Sequence, residues 1–433
     1  MIEGSYLILF YILLWSVVLI YHFRKQKAID AGGILMLSYL LYGVASFILL
    51  NDDYYGNLYT GLSIFPFIYL FSILYITSTP IRRFNTNRID MIQQPSMLLL
   101  NSICVFYILM QVACIPGIIS NINVLGLLFT DDNVGAELYK ESVSNSQFSS
   151  SMGVGVSNIA SIFSNFLSRL GVLFFFYYLT LPKKSNNKLM LFGLAISVLC
   201  NILSYLLTGQ RGGTFKTIST CIITYFALRK FIPQSINKKI KIVGFIVMVV
   251  ISIPYYFLSA SRFSDSVGGV ESSLYSYMGQ GNLNFNLYGL DDNGIRYGDR
   301  VVPIFKKMMG ISNVPNNFWE RRWKYPHLKV NDEVFYTYVG DFTIDFGPIL
   351  GGLILIAVSL FITAKTKVKR RTVLFHQLIL LHFIMCICME GGMSLYPFSD
   401  SSNMVIIVYI IAYFLFKFEY LGRLRKQKLL LNQ

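Results

Sequence analysis

Long apolar segments alternate with short polar segments along almost the whole chain of 433 residues. A helix needs roughly 20 mainly apolar residues to cross the hydrocarbon core of a bilayer, and about eleven segments of the chain fit that length. The pattern therefore predicts an all-α polytopic membrane protein, with a single transmembrane domain over residues 1–433. The predicted spans run from Tyr6 to His22, Gly32 to Leu50, Tyr59 to Thr77, Met97 to Ile118, Ile159 to Leu181, Leu189 to Leu207, Thr214 to Leu228, Ile242 to Leu258, Phe346 to Thr363, Val373 to Met389 and Met404 to Phe418.

The polar connections between the predicted spans are of two kinds. Every second connection carries Lys and Arg, as in Arg24 to Lys27 and Lys365 to Arg371. Because short basic loops stay on the cytoplasmic side, this alternation predicts an external N-terminus and a cytoplasmic C-terminus. The other connections are rich in Asn, Ser, Gly, Asp and Tyr, and the longest of them predicts an external loop over residues 259–339, between spans 8 and 9.

The composition narrows the class of protein further. The chain is 54% hydrophobic and 14% charged, with a formal net charge of +15. Its basic residues are spread over short runs between apolar segments, which argues against a nucleic-acid-binding module. The six cysteines lie in or at the edge of apolar segments, where neither a disulfide framework nor a zinc site is normally built. The sequence holds no Walker A loop, G-x-S-x-G elbow or H-E-x-x-H motif, and it predicts no metal and no cofactor.

Three arginines lie within or at the external ends of predicted spans. Arg211 belongs to the turn Thr208-Gly209-Gln210-Arg211-Gly212-Gly213. Glycines allow a sharp bend there, and the first N–H groups of the next helix favour an anion such as phosphate. Arg262 follows the eighth span and Arg169 lies within the fifth, where an arginine is costly unless it faces a polar cavity or a partner. Snorkelling to the membrane surface, or a structural carboxylate partner, is the alternative interpretation.

The long external segment interleaves basic and aromatic residues. Aromatic rings complement the apolar faces of sugars, and arginine makes bidentate contacts to phosphate. A helix lying on the membrane surface would have the same composition, so this alternative stays open. The candidate substrate contacts are Arg296, Arg300, Trp319, Arg321, Arg322, Trp323, Tyr336 and Tyr338.

Three carboxylates and one histidine are candidates for proton transfer on the external side. Asp341 and Asp345 are four residues apart, so they share one face if this stretch is helical. Glu390 follows the tenth span, and His327 lies in the long external segment. Asp341 and Asp345 are expected to bind a sugar hydroxyl, act as a base, or offset the arginines. The alternative is that they are carboxylates at a helix N-terminus, which the helix dipole favours without any ligand. A histidine is suited to proton transfer near neutral pH.

Three short segments resemble the Wzy-type O-antigen polymerases, a family of oligosaccharide repeat-unit polymerases. They are Thr208 to Gly212, the polar loop opened by Arg262, and Gly340 to Gly347 followed by Gly351-Gly352. The resemblance extends from about the fifth span to the eleventh, and the N-terminal third matches in hydropathy alone. It implies a GT-C-like fold and a multi-pass glycosyltransferase of the bacterial inner membrane, active on the periplasmic face.

The resemblance also implies a reaction and its partners. Such enzymes transfer a growing glycan from an undecaprenyl-diphosphate donor to a new lipid-linked repeat unit. Arg211 and Arg262 would stabilise the departing diphosphate in the place of a metal, and Asp341, Asp345, Glu390 or His327 would deprotonate the attacking hydroxyl. The implied partners are these lipid-linked glycans, the bilayer and a protein that regulates chain length.

Two other functions fit parts of the same pattern. An O-antigen ligase of the same architecture would use the same face and the same cationic residues. A flippase or other secondary transporter of lipid-linked oligosaccharide would need charged residues near the bilayer midplane and symmetry between the halves. The ionisable residues concentrate at one face instead, apart from Arg169, which makes transport the weaker hypothesis.

Overall fold

Helices make up most of the protein in a computed structural model, which describes residues 2–84, 88–123, 126, 156–182, 187–263, 269–330, 334, 336–368, 371–392 and 400–431. In the first half of the chain they are α1 (Ile2–Gln26), α2 (Ala31–Leu50), α3 (Ile64–Thr77), α4 (Thr79–Arg83), α5 (Met97–Ser120), α6 (Val156–Thr180) and α7 (Lys188–Leu207). The remaining helices are α8 (Arg211–Leu228), α9 (Gln234–Phe263), α10 (Gly269–Tyr288), α11 (Pro303–Met308), α12 (Phe318–Lys324), α13 (Tyr338–Phe346), α14 (Pro348–Lys365), α15 (Phe375–Gly391) and α16 (Asp400–Leu431). Two short strands, β1 (Met91–Ile92) and β2 (Thr372–Val373), pair in parallel.

Eight helices within the ranges just given are long and apolar enough to cross a membrane, judged by length and composition. Each of them overlaps a predicted span, because an uninterrupted apolar run of about 20 residues satisfies its own backbone hydrogen bonds as a helix in lipid. The protein is therefore an all-α polytopic membrane protein, as predicted. The eight are α1, α2, α5, α6, α7, α9, α14 and α16.

The other three predicted spans have a different character. Tyr59 to Thr77 is helical over α3, which has 14 residues, and Val373 to Met389 falls on α15, which has 17 residues. Both helices are apolar but shorter than the eight. Thr214 to Leu228 lies in the 18-residue helix α8. This helix is not among the eight, because polar residues such as Arg211 and Lys216 occupy its first turns.

The chain divides into two compact units. The first contains Met1–Arg88, Glu271–Lys369 and Leu380–Ile407, and the second contains Ile89–Val270, Arg370–Ile379 and Val408–Gln433. The prediction of one transmembrane domain was made from hydropathy, and a hydropathy pattern carries no information on such a division.

Aromatic side chains pack the first helices of the first unit together. The ring of Trp15 lies 4.8 Å from that of Tyr39, and the ring of Tyr11 lies 5.3 Å from that of Phe67, measured between centroids. These contacts join α1 to α2 and α3. A buried aromatic cluster of this kind orders helices that bilayer lipid alone would not hold together.

Much of the segment predicted as an external loop, residues 259–339, is helical. Helix α10 packs closely on α2, since a Cβ at Gly279 would lie 2.6 Å from the carbonyl oxygen of Ala45. The Asn282 side chain donates to Ser46 Oγ at 3.0 Å and accepts from the Tyr11 hydroxyl at 3.4 Å. Hydropathy alone did not predict a helix here, because the segment is too polar, and its asparagines are buried against polar partners.

In the second unit, polar side chains join three of the candidate spans. Gln111 of α5 donates to Asn201 of α7 at 2.6 Å, and Asn201 donates to the hydroxyl of Tyr107 at 2.7 Å. Gln111 also contacts Ser164 of α6. These residues are buried. Such hydrogen bonds between helices satisfy groups that lipid cannot.

Candidate functional site

The segment that carries the third part of the resemblance forms α13, a short and deeply buried helix. The Thr337 side chain caps it by accepting from the Gly340 N–H at 3.3 Å. It ends at Gly347, whose φ of +80° is open to glycine at little cost, and Pro348 then begins α14. Every residue from Tyr338 to Asp345 is buried. Asp341 and Asp345 are one helical turn apart, as the spacing predicted.

Asp345 is held by three donors from the polar segment that precedes α11. Its Oδ1 atom lies 2.8 Å from Arg296 Nε, and its Oδ2 atom accepts from the backbone N–H groups of Arg300 at 3.0 Å and Val301 at 2.7 Å. The Arg296 N–H also donates to the carbonyl of Ile344 at 3.1 Å. The Asp345 carboxylate therefore holds both the Arg296 side chain and the backbone at Arg300 and Val301 against α13.

Asp341 forms a second buried ion pair. Its Oδ1 atom lies 2.7 Å from Arg300 Nε, and the Arg300 guanidinium lies 5.6 Å from the centre of the Tyr336 ring. The side chains of Arg300 and Asp341 are 5% and 0% exposed. Three roles were expected for Asp341 and Asp345, and the ion pairs show one of them, which is the offsetting of arginine charges.

A third buried carboxylate, Asp299, lies on the same polar segment. It binds Lys306, Lys324 Nζ at 2.7 Å and the Tyr325 hydroxyl at 2.7 Å. Burial alone would raise the pKa of Asp299, but the hydrogen bonds from these three donors hold the pKa below its usual value. Burial and the neighbouring Asp299 raise the pKa of Tyr325. Sequence reasoning missed this cluster, because its members lie up to 26 residues apart without a local motif.

The turn before α8 matches the predicted geometry. Gly209 has a φ of +66°, and α8 begins at Arg211, which is 3% exposed. Gly213 packs against the end of α7, where a Cβ would lie 2.2 Å from Tyr205 Cδ1, whereas a Cβ at Gly212 would meet open space. Glycine is therefore needed at two of these positions for different reasons, one for the backbone angle and one for close packing.

The other two arginines give less information. Arg169 lies in α6 with its side chain partly buried. Arg262 is in α9, which continues through it to Phe263, but its side chain lies outside the described residues. The prediction that Arg211 and Arg262 face one anion stays a prediction.

The candidate bases differ in exposure. His327 is exposed, and its ring centroid lies 6.3 Å from that of Tyr325. Glu390 is fully buried and lies within the last turn of α15, not in a connection after a span as the sequence suggested. Asp341 and Asp345 are also fully buried. Solvent therefore reaches only the histidine among these four residues.

The remaining candidate substrate contacts also divide into buried and exposed residues. Tyr336 and Tyr338 are 0% and 1% exposed, and the Tyr338 hydroxyl contacts Thr77 Oγ1. These two tyrosines pack inside the first unit and do not form an open platform for sugars. Residues of α12 are more accessible, since Trp319 is 45% exposed and Trp323 74%. Arg322 is also exposed, and Arg321 is partly buried.

Within the described ranges, no three His, Cys, Asp or Glu side chains form a group that suits a metal ion. No family model, no curated protein and no solved structure matches the chain.

Proposed function

We propose that the chain is a membrane-embedded glycosyltransferase that polymerises undecaprenyl-diphosphate-linked oligosaccharide repeat units of the O-antigen or capsule type. The reaction takes place at the periplasmic face of a bacterial inner membrane. The chain has about eleven spans in a GT-C-like arrangement, with a periplasmic N-terminus and a cytoplasmic C-terminus. The resemblance of three short segments to the Wzy-type polymerases supports this proposal, as does the membrane class of the protein.

The ion-paired helix α13 carries the proposal. A buried ion pair contributes little net stability, because desolvation offsets the attraction between the charges. Two such pairs, Arg296 with Asp345 and Arg300 with Asp341, lie on the helix formed by the resembling segment. Buried charges that add little net stability favour a role beyond stability, such as fixing one conformation of the polar segment. In this role the pairs position the polar segment for binding of the sugar substrate.

Arg211 is the proposed ligand of the departing diphosphate. It is a buried guanidinium in the first turn of α8, where the helix dipole also favours negative charge. A cation placed where charge develops on the leaving group lowers the barrier to its departure. Arg262 is proposed to share this role.

His327 is the base that accessibility favours for deprotonating the acceptor hydroxyl. Its imidazole is exposed, whereas Asp341, Asp345 and Glu390 are fully buried. A base has to come within hydrogen-bond reach of the hydroxyl whose proton it takes. We therefore compare the rates of chain extension per folded molecule in two variants. The rate should fall more in His327→Asn than in Asp345→Asn.

The test is chain extension by the purified full-length protein in liposomes that contain lipid-linked repeat units. Wild-type protein should give a ladder of longer glycans, with and without a chelator. Arg211→Ala should reduce extension by about 10²- to 10³-fold, which is the usual loss when one electrostatic stabiliser of a transition state is removed. Arg425→Ala, at an exposed position of α16, is the matched control and should retain the ladder. A normal ladder from Arg211→Ala would disprove the assignment.

The same preparation separates the two rival functions. A ligase would transfer glycan to a different acceptor without lengthening it, so these liposomes would give no ladder. A transporter would move lipid-linked glycan across the liposome membrane without any new glycosidic bond. A ladder is expected from a polymerase alone.

A further inference from the structure

A small surface outside the candidate spans combines large apolar side chains with arginines. We name it the basic–aromatic surface and define it by Met308, Met309, Trp319, Arg321, Arg322 and Trp323. Met308 and Met309 are 71% and 70% exposed, and Trp323 is 74% exposed. Soluble surfaces rarely expose so many large apolar side chains within a short stretch of chain without a partner.

One hydrogen-bonded contact places this surface close to the end of a candidate span. The span Asn403–Leu430 begins at Asn403, whose side chain accepts from the Ile304 N–H at 3.3 Å and donates to the Val301 carbonyl at 2.9 Å. Helix α11 therefore starts beside the first residue of this candidate span. Its six residues extend about 9 Å at 1.5 Å per residue. That length is similar to the depth of the headgroup region, about 5–8 Å on each side of the hydrocarbon core.

Helix α12 is held beside α11 by shared polar contacts. Lys306 of α11 and Lys324 of α12 both bind Asp299, and Lys307 donates to Asn316 Oδ1 at 3.0 Å. The exposed members of α12 are Trp319, Arg322 and Trp323, which share one face by their helical spacing. The shared contacts at Asp299 thus hold α11 and α12 to the same carboxylate.

The charge of this surface is positive. From Pro303 to Tyr325 the chain has five basic residues and one acidic residue, Glu320, and two of the basic residues, Lys306 and Lys324, are paired with Asp299. The Glu320 carboxylate accepts from the Asn316 N–H at 2.8 Å, and the Asn317 side chain caps α12 by accepting from the Glu320 N–H at 2.9 Å. The arginines of α12 therefore have a field that attracts anionic headgroups.

We propose that the basic–aromatic surface lies on the bilayer, with Trp319 and Trp323 at headgroup level and Arg321 and Arg322 against anionic lipid headgroups. Tryptophan and arginine are the residues that favour the membrane interface. The methionines distinguish a bilayer from a glycan as the occupant, because an aliphatic thioether offers sugar hydroxyls no good hydrogen bond but enters the acyl boundary readily. This inference does not depend on the proposed function.

The tryptophan content of the chain allows a direct test. The three tryptophans are Trp15, Trp319 and Trp323, and Trp15 is fully buried. The full-length Trp15→Phe protein therefore reports from the basic–aromatic surface alone. It is reconstituted in vesicles of two parts phosphatidylcholine to one part phosphatidylglycerol, with the phosphatidylcholine either plain or brominated near the top of its acyl chains. Brominated lipid should reduce the tryptophan emission at least twofold, and aqueous iodide should reduce it little.

The other outcomes each overturn the proposal. Strong quenching by iodide with none by brominated lipid would mean that the surface faces water. Resistance to both quenchers would mean that another protein surface covers it. An emission that ignores brominated lipid but changes when lipid-linked repeat units are added would assign the tryptophans to glycan binding. Trp15→Phe/Trp319→Phe and Trp15→Phe/Trp323→Phe then test each position, and both should respond to brominated lipid.

A charge-matched pair of variants tests the role of the arginines. In the Trp15→Phe background, Arg321→Gln/Arg322→Gln should lose about half of the quenching by brominated lipid. High salt should reduce the quenching by a similar amount in the Trp15→Phe protein that keeps both arginines. Arg425→Gln/Lys426→Gln removes two charges from exposed positions of α16 and should change nothing. Equal quenching in all of these proteins would overturn the contact with anionic headgroups.

Discussion

Arg296 and Asp345 form an ion pair from which water is almost completely excluded. The Nε and Oδ1 atoms are 2.8 Å apart, and the side chains are 1% and 0% exposed. The two residues are 49 positions apart in the chain, so their contact closes a long polar segment onto α13. The neighbouring pair of Arg300 and Asp341 repeats the arrangement one helical turn away.

Breaking this pair should strongly destabilise the first unit. Arg296→Met leaves the Asp345 carboxylate buried without its cation, and the free energy of unfolding should fall by about 3–5 kcal/mol. Lys329→Met is the control, because the Lys329–Asp291 pair is exposed (46% and 78%) and should contribute far less than the buried pair. Denaturant unfolding of both variants in detergent provides the measurement. Similar small losses in the two variants would contradict a structural role for the buried pair.

The same substitution at two adjacent glycines should change the stability of the protein in opposite directions. Gly213→Ala places a Cβ 2.2 Å from Tyr205 Cδ1, and this overpacking should cost about 1–3 kcal/mol. Gly212→Ala meets open space within α8 and should stabilise the helix by about 0.5–1 kcal/mol. Thermal unfolding of both variants measures the difference. Tyr205→Ala should rescue most of the Gly213→Ala loss, and failure of the rescue would point to another cause.

The Asp299 cluster should make stability depend on pH in the acidic range. The pKa of Asp299 is lowered in the folded state, so its carboxylate stabilises the fold above the unfolded pKa of about 3.9. This contribution is lost as the pH falls through the lower, folded pKa. The stability difference between wild type and Asp299→Asn should therefore be constant from pH 5 to pH 7 and should shrink below about pH 4.

Unfolding curves of the two proteins across that range measure the difference. Asp53→Asn, at an exposed position after α2, is the control and should differ from wild type by much less at every pH. A difference that grows on acidification would have the wrong sign.

The polar junction of the second unit should also contribute to stability. Asn201→Leu removes its contacts with Gln111 and Tyr107, whereas Gln111 keeps its contact with Ser164. Hydrogen bonds between membrane helices average about 0.6 kcal/mol, and an unsatisfied buried group costs about 1–3 kcal/mol. We therefore expect a loss within that range, measured by thermal unfolding. Ser102→Ala, at an exposed position of α5, should have no detectable effect.

Some features of the candidate site follow from local sequence and others do not. The spacing of Asp341 and Asp345 predicted a shared helical face, and Thr337 and Gly347 are residues suited to the two ends of that helix. The partners of these carboxylates were not predictable, because pairing over more than 40 residues depends on how the polar segment folds back. The same holds for the donors around Asp299, which no motif marks.

The sequence by itself determined the class of the protein. Eight apolar runs became helices of spanning length because lipid offers no hydrogen bonds, so each run has to satisfy its own backbone. Only the tertiary structure decided that the polar helix α10 is buried and that Arg296 and Arg300 face carboxylates. Hydropathy averages each residue with its sequence neighbours, whereas burial of a polar side chain is decided by distant groups that supply its hydrogen bonds.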